Sequence, residues 1–244
     1  MENKSIKSYD NSSRVTEYDA DMEIMHPNRS QMIDIALEVL PFKNEFSFTA
    51  LELGTGTGYF TRKFLEKFPN SKIISIDGAA SMIDLAKSRL GSPADYIDFR
   101  TGDFRDLKAL LNPDEKGHLV FSSYSLHHLD NKEKLDALKT VKEFLLPGGW
   151  FINADLLVAE TPEIEERIQE IRVDGIVRRA GRKDNRFIDR ISTRKFLDDL
   201  EAEEKDQPLT LKNDMEILEK AGFSNTSVFW LEYREAVYGG IKIS

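Results

Sequence analysis

Apolar residues along the chain fall into two regular patterns. Short apolar runs, which indicate buried parallel strands, cover residues 46–53, 72–76, 118–123 and 150–155. A further short strand is predicted over 97–100, as the third of five. Between these runs, apolar residues recur at helical spacing, most clearly over 132–145. This alternation of strands and helices predicts an α/β fold built around a mostly parallel sheet.

The last third of the chain departs from this alternation. After a helix over 211–221, two apolar stretches at 223–231 and 236–243 are separated by a short polar link, which predicts a terminal β-hairpin. Residues 157–207 carry helical patterns rich in charge. We therefore expect a helical insert after the fifth strand and an antiparallel pairing at the end of the sheet.

Residues 1–45 precede the first predicted strand. The first 20 or so are polar, include Tyr9 and Tyr18, and are expected to be loosely ordered until something docks on them. A helix is predicted to follow, with Pro27 in its first turn and Pro41 at its end. We interpret this segment as an N-terminal helical cap over a ligand-binding mouth; the alternative is a helix that covers one sheet edge.

The composition sets limits on the class of protein. The 244 residues suit a single domain, 1–244, whose core we assign to 46–156 and 208–244. The absence of cysteine excludes disulfides, thiolate metal sites and a cysteine nucleophile. The net charge of −9 disfavours general nucleic-acid binding. No apolar run reaches the length of a membrane span and the first residues lack the apolar region of a signal peptide, so we expect a cytoplasmic protein.

A glycine-rich turn follows the first predicted strand and precedes a predicted helix. Gly54, Gly56 and Gly58 form the pattern G-x-G-x-G, and Tyr59 stands where a dinucleotide fingerprint would have its third glycine. Glycine permits the backbone angles of the turn, and the following helix start offers free N–H groups to a ligand. A pyrophosphate would gain nothing from the acidic Glu52 at the strand end. The motif favours a nucleotide-like ligand other than a dinucleotide, with a purely structural glycine turn as the alternative.

An acidic residue ends the second predicted strand. Asp77 lies 19 residues after Gly58, a separation that suits one helix and one return strand. A carboxylate at this place can accept hydrogen bonds from both hydroxyls of a ribose. Dehydrogenases carry an acid in a similar place, so Asp77 indicates a ribose more strongly than it indicates a particular cofactor.

Polar side chains cluster after the fourth predicted strand, where open α/β sheets bind their ligands. They are Ser123, Tyr124, His127 and His128. One of the histidines could act as a general base, or the pair could be structural. We predict no metal site, because neighbouring residues point in different directions and no third ligand has matching spacing.

The insert contains a strongly basic segment, 172–195. It has nine basic residues against three acidic ones in a chain of net charge −9. A solvated charged surface is one interpretation. The alternatives are a site for an anionic substrate and a contact between two subunits, so a homodimer through 157–207 is a candidate assembly.

The motifs together resemble those of class I S-adenosylmethionine (SAM) methyltransferases. The resemblance lies in E-x-G-x-G-x-G at 52–58, Asp77, the Gly-Asp-aromatic turn 102–104, the L-x-P-G-G run at 145–149 and the terminal hairpin. It implies a Rossmann-like sheet of seven strands, mostly parallel with one antiparallel strand and helices on both faces. It also implies SAM as cofactor, S-adenosylhomocysteine as product, and in-line methyl transfer to a small metabolite, with an anionic one as a candidate.

The resemblance assigns roles to individual positions. Asp103 would accept from the adenine amino group, Phe104 would border the ring, and Met82 would pack on it or belong to the core. Catalytic roles fall to His127 and Tyr124. The cofactor-binding positions are Tyr18, Arg29, Glu52, Gly54, Thr55, Gly56, Gly58, Asp77, Gly78, Met82, Asp103, Phe104 and Ser123.

Within this class the chain looks most like the branch that holds the carboxy-SAM synthase of tRNA wobble-uridine modification. The similarity lies in 21–22 and 26–29 of the cap and in 220–223 before the hairpin. The synthase has Pro-Gly-Tyr where this chain has Pro-Asn-Arg at 27–29, so its cofactor-contacting tyrosine is absent. Its carboxylate-gripping arginine corresponds to Arg194 in one alignment. Carboxy-SAM chemistry is therefore the second interpretation.

Two further alternatives remain open. One is a SAM-binding protein without catalysis, in which the insert recognises a partner. The other is an NAD-linked oxidoreductase, which Tyr59 and the terminal hairpin disfavour. The expected partner is a small-molecule substrate, with neither nucleic acid nor a membrane involved.

Overall fold

Seven strands form one sheet in a computed structural model of the protein, which describes Ile6, Tyr9 and residues 12–244. The strands are β1 (Thr49–Leu53), β2 (Lys72–Asp77), β3 (Ile97–Thr101), β4 (Gly117–Ser123), β5 (Leu145–Leu156), β6 (Ser224–Glu232) and β7 (Glu235–Ile241). Their order in the sheet is β3-β2-β1-β4-β5-β7-β6. The chain reverses its direction of travel across the sheet between β3 and β4, which places a ligand-binding crevice between the carboxyl ends of β1 and β4.

The strands run in the directions that the sequence predicts. β1 to β5 pair with one another in parallel. β7 is antiparallel to both of its neighbours, β5 and β6. Six strands therefore share one direction and β7 opposes them, which confirms the predicted fold class.

Helices cover both faces of the sheet. They are α1 (Ser12–Met25), α2 (Arg29–Glu38), α3 (Tyr59–Lys67), α4 (Ala80–Leu90), α5 (Leu107–Leu110), α6 (Asn131–Phe144), α7 (Pro162–Ala180), α8 (Arg190–Glu204) and α9 (Leu211–Lys220). Successive residues of β1 point to opposite faces: Leu51 joins a core with α6 and α9, and Ala50 joins one with α2 and α3. No helix in the described part of the chain is long and apolar enough to cross a membrane.

The N-terminal region is more ordered than its sequence suggests. The prediction of loose order is wrong for residues 12–20, because these residues belong to α1. Residues 1–5, 7–8 and 10–11 lie outside the described part of the chain. Ion pairs hold α1 in place, since Asp19 pairs with Arg29 and Asp21 pairs with Arg186 of the insert. The helix α1 also makes apolar contacts in its second half, where Met22 and Met25 are buried.

Two strands begin at residues other than those predicted. β1 begins at Thr49 instead of residue 46, and β5 begins at Leu145 instead of residue 150. The L-x-P-G-G run therefore lies within a strand, although it was expected to separate the helix from the strand. A register shift opposite Gly117–Leu119 accommodates it.

A buried carboxyl group joins three elements beneath the glycine-rich turn. Glu52 on β1 is 1% exposed and accepts hydrogen bonds from Thr61 Oγ1 on α3 (2.8 and 2.9 Å) and Ser75 Oγ on β2 (2.5 Å). Burial raises the pKa of Glu52, and the negative charge of Asp77 raises it further. The hydrogen bonds from the two hydroxyl groups lower the pKa, and the net value is about 8. Glu52 is therefore protonated at neutral pH in the ligand-free protein.

We predict that Glu52→Gln removes a component of the pH dependence of stability. The folded-state pKa of about 8 exceeds the unfolded value, so this contribution is complete below about pH 4.5 and is lost as pH rises through about 8. From about pH 5 to pH 6.5, the wild-type unfolding free energy should therefore fall by up to ~1.4 kcal/mol per pH unit relative to the variant.

Urea unfolding of both proteins across that range measures the difference. Exposed Glu45 provides the matched control: Glu45→Gln should keep the wild-type slope. Equal slopes for wild type and Glu52→Gln would show that Glu52 is ionised in the folded protein.

Candidate functional site

One cavity opens at the carboxyl ends of β1 to β4, with an open volume of ≈ 840 Å³. It brings together most of the residues that the sequence nominated. They are Tyr18, Arg29, Gly54, Thr55, Gly56, Asp77, Gly78, Met82, Asp103, Phe104, Ser123 and Tyr124.

Three nominated residues do not line this cavity. Glu52 lies in the hydrogen-bonded cluster beneath the turn. Gly58 caps α3 at φ +77°, and a Cβ added there would lie 3.2 Å from Ala86, so this glycine allows α3 and α4 to approach each other. His127 is buried behind the cavity, whereas its neighbour His128 lines it.

The glycine-rich turn has little room for other residues. Gly54 has φ +87°, and a Cβ added to it would lie 1.8 Å from Ser125 Oγ. Gly56 also has positive φ, at +49°. The backbone can therefore approach a ligand here without side chains intervening.

Asp77 links the first two loops of the cavity. Its Oδ2 accepts a hydrogen bond from the Gly56 N–H (2.8 Å), and its Oδ1 accepts one from the Ala79 N–H (2.9 Å). These two backbone contacts fix the orientation of the Asp77 carboxylate.

The Asp103 carboxylate contacts Arg105, a residue that the sequence analysis did not identify. It caps a short 3₁₀ helix through the Arg105 N–H (3.0 Å) and pairs with the Arg105 guanidinium (3.1 Å). Arg105 also binds Glu133 (2.7 Å) and the carbonyl of His128 (3.0 Å), and it lines the cavity. The guanidinium thus joins the loop after β3 to the loop after β4, a contact between sequence-distant segments that no local motif indicates.

The N-terminal segment closes one side of the cavity. Ile6 lies where a Cβ on Gly78 would clash at 2.7 Å, and the Tyr9 carbonyl accepts from Ser81 (2.8 Å). The Tyr9 ring packs edge-on against Tyr18, with 6.2 Å between ring centroids. The sequence offered only the two tyrosines as a signal that this polar segment carries binding groups.

Arg29 and Tyr124 also line the cavity. Arg29 pairs with Asp19 (2.8 Å) and lies 4.2 Å above the Tyr59 ring, but its buried Nε has no hydrogen-bond partner among the described residues. Tyr124 donates its hydroxyl hydrogen to Glu235 (2.8 Å). Burial and the Glu235 charge raise the pKa of Tyr124 well above its usual range, so the phenol stays protonated at neutral pH.

The two adjacent histidines meet the same carboxylate. His127 Nδ1 lies 2.6 Å from Asp155 Oδ1, and its Nε2 lies 3.5 Å from Asp206 Oδ1. His128 Nδ1 lies 3.1 Å from that same Asp206 oxygen, and the two rings are 4.2 Å apart. The expectation that neighbouring histidines point apart is wrong here, because the irregular turn after β4 directs both rings to the end of the insert.

The electrostatics of His127 limit its chemistry. Burial lowers the pKa of His127, but the charges of Asp155 and Asp206 outweigh burial and raise it to about 10. The imidazole is therefore protonated at neutral pH and cannot accept a proton. Neither nominated catalytic residue, His127 or Tyr124, has the protonation state of a general base in this structure.

Acidic partners compensate much of the basic segment 172–195. Arg172 pairs with Glu201 and Arg190 pairs with Asp174. Arg194 pairs with Asp198 and lines a different cavity from the one described above. These pairs favour the interpretation of a solvated, internally compensated surface.

Comparison with known proteins gives the family of the central segment. Residues 50–149 match the family described as "Methyltransferase domain". An uncharacterised methyltransferase of Anoxybacillus flavithermus is 32% identical over 127 residues, covering 52% of this chain and 56% of the relative. Malonyl-acyl-carrier-protein O-methyltransferase 1 of Ilyobacter polytropus is 30% identical over 132 residues, covering 54% and 42%. The chain thus spans about half the length of these curated relatives.

Solved structures extend the similarity to most of the chain. A structure described as a DhpI–SAM–HEP complex has a TM-score of 0.62 at 20% identity, covering 97% of this chain and 95% of that one. A putative O-methyltransferase from Nostoc punctiforme has a TM-score of 0.62 at 19% identity, covering 93% and 60%. At these identities the structural likeness establishes the fold alone. Over residues 50–149, the chain matches a methyltransferase domain.

Proposed function

We propose that the protein binds SAM in the cavity at the carboxyl ends of β1 to β4 and transfers its methyl group to an oxygen of a small carboxylate substrate. One observation carries the proposal: Asp77, Asp103 and the glycine-rich turn line one cavity of ≈ 840 Å³ that continues to Arg29 and Tyr124. The proposal therefore assigns the cofactor to one part of the cavity and the acceptor to the other.

The cofactor half suits the three parts of SAM. Asp77 is oriented by two backbone N–H groups and would accept from the ribose hydroxyls. Phe104 and Met82 would border the adenine. The methionine part would lie along Gly54 and Gly56, where the backbone is accessible.

The acceptor half suits an anion. Arg29 lines the cavity, and its buried Nε lacks a hydrogen-bond partner among the described residues. A substrate carboxylate would satisfy that donor, and guanidinium groups bind carboxylates well. The name of one relative, malonyl-acyl-carrier-protein O-methyltransferase 1, describes methyl transfer to oxygen and agrees with this assignment.

The protonation states favour an acceptor that is already ionised. Tyr124 and His127 both hold their protons at neutral pH, so neither would activate a neutral hydroxyl. A carboxylate needs no base. Its oxygen would form a bond to the methyl carbon as the carbon–sulfur bond breaks, giving a methyl ester and S-adenosylhomocysteine. The protein's contribution would be alignment of the two reactants, because the sulfonium is already an activated donor.

The carboxy-SAM alternative receives no support from the insert. Arg194, which would have gripped the extra carboxylate, pairs with Asp198 and lines another cavity. We therefore retain SAM itself as the cofactor of the proposal.

Two measurements test the proposed function. Native mass spectrometry of freshly purified protein, followed by denaturation, should release SAM or S-adenosylhomocysteine; bound NAD would overturn the cofactor assignment. Incubation with methyl-labelled SAM and a panel of small carboxylic acids should then give base-labile methyl esters. SAM binding without transfer to any acceptor, in that panel or a metabolite extract, would favour a non-catalytic SAM-binding protein.

We predict that Asp77→Ala weakens SAM binding measured by isothermal titration calorimetry. A hydrogen bond to a charged group contributes about 1.5–3 kcal/mol, so the dissociation constant should rise about tenfold to 150-fold. Asp77→Asn keeps one acceptor oxygen, so its dissociation constant for SAM should lie between those of Asp77→Ala and wild type. Asp98→Ala on exposed β3 is the control and should bind normally. Unchanged affinity in Asp77→Ala, with its fold verified by circular dichroism, would remove Asp77 from the ribose site.

We also predict that Tyr124→Phe retains most methyl-transfer activity. The Tyr124 phenol keeps its proton, so removing the hydroxyl should lower kcat by less than about tenfold, whereas loss of a general base typically costs 10²–10⁴-fold. Steady-state kinetics with the best carboxylate acceptor gives this ratio. Tyr96→Phe, at an exposed position, is the control. A loss of 100-fold or more in Tyr124→Phe alone would identify Tyr124 as the base.

A further inference from the structure

We propose that His127, His128 and Asp206 form a binding site for a divalent transition metal, with zinc as the ion to test, at the edge of the cavity. The three side chains offer one ligand atom each, and these atoms all lie within 4.8 Å of one another. Metal binding at this cluster is independent of whether the protein transfers methyl groups.

The distances suit one ion between the ligands. Zinc lies about 2.0–2.2 Å from imidazole nitrogens and carboxylate oxygens in tetrahedral sites, which separates neighbouring ligand atoms by roughly 3.3 Å. Asp206 Oδ1 lies 3.1 Å from His128 Nδ1 and 3.5 Å from His127 Nε2. Two of the three ligand–ligand distances are therefore close to tetrahedral edge lengths, and the third is within 4.8 Å.

Two of the three ligand atoms have no hydrogen-bond partner among the described residues. His128 Nδ1 and Asp206 Oδ1 are buried and make no hydrogen bond of acceptable geometry among the described residues, although they are only 3.1 Å apart. Buried polar atoms are normally hydrogen-bonded or bound to a metal. An ion between them satisfies both atoms at once.

Asp155 completes the arrangement as an outer-shell group. Its Oδ1 lies 2.6 Å from His127 Nδ1, and its Oδ2 accepts from the His127 backbone N–H (3.1 Å). With the proton on Nδ1, the lone pair of Nε2 is directed to Asp206. Metal-binding histidines usually donate their second N–H to a carboxylate in this way.

The ligand chemistry selects the class of metal. Two imidazoles and one carboxylate suit zinc and other divalent first-row transition metals better than magnesium or calcium, which prefer oxygen ligands. Three protein ligands leave one position of a tetrahedral ion unfilled. His128 also lines the cavity.

An ion pair of Asp206 with the two histidines is the competing interpretation of the cluster. If the cluster serves as an ion pair alone, wild-type protein will bind zinc no more tightly than a variant lacking one ligand.

Metal content provides the test, on full-length protein from which any polyhistidine tag has been cleaved. After zinc loading and dialysis against metal-free buffer, elemental analysis should find one equivalent of zinc in the wild type. Loading with cobalt(II) should give the visible absorption of a tetrahedral site. The ligand variants are Asp206→Asn, which keeps the side-chain volume, and His128→Gln. Each should lower zinc affinity by at least the roughly 10–100-fold that loss of an outer-shell partner costs.

His118→Gln is the matched control, because His118 lies on β4 next to Phe46 and Phe48 and outside the cluster. It should bind zinc like the wild type. Near-ultraviolet circular dichroism of every variant verifies the fold, and either ligand variant alone suffices if the other does not fold. No stoichiometric zinc in the wild type, or equal affinity in wild type and a folded ligand variant, would overturn the proposal.

Discussion

The cavity depends on one carboxylate that holds two loops. Asp77 accepts a hydrogen bond from Gly56 in the turn after β1 and another from Ala79 at the start of α4. Both loops follow neighbouring parallel strands, so a single short side chain can reach both of them. Glu52 beneath supports the same turn from inside by joining β1, β2 and α3. Asp77 and Glu52 therefore hold the glycine-rich turn from two sides.

Burial divides the acidic groups around the cavity into two kinds. Glu52 has only hydroxyl donors and the like charge of Asp77 near it, so its pKa rises and it becomes neutral. Asp155 lies beside His127, whose positive charge outweighs the effect of burial and lowers the pKa of Asp155. A neutral acid can serve as structural support below the turn, while an ionised one maintains a cationic imidazole near the acceptor side. The same residue type therefore performs opposite electrostatic roles within one site.

The sequence predicted what local patterns encode. Alternating apolar runs specified the sheet, and strand-end residues such as Asp77 and Asp103 were located because parallel strands end at one edge. What it missed depends on contacts between distant segments. Arg105 bridges two loops, and Asp206 meets His127 only because the insert returns to the turn after β4. No period or spacing in the sequence indicates such a contact.

The segments that surround the acceptor side lie mostly outside the shared methyltransferase domain, 50–149. The insert returns at Gln207, whose N–H donates to the His127 carbonyl (2.8 Å), and a β-bridge joins Val158 to Thr210. From the other side, His26 of the cap and Tyr124 both meet Glu235 of the terminal hairpin, each at 2.8 Å. Cap, insert and hairpin thus converge on the turn after β4. Segments outside the matched domain, 50–149, therefore form much of the surroundings of this turn.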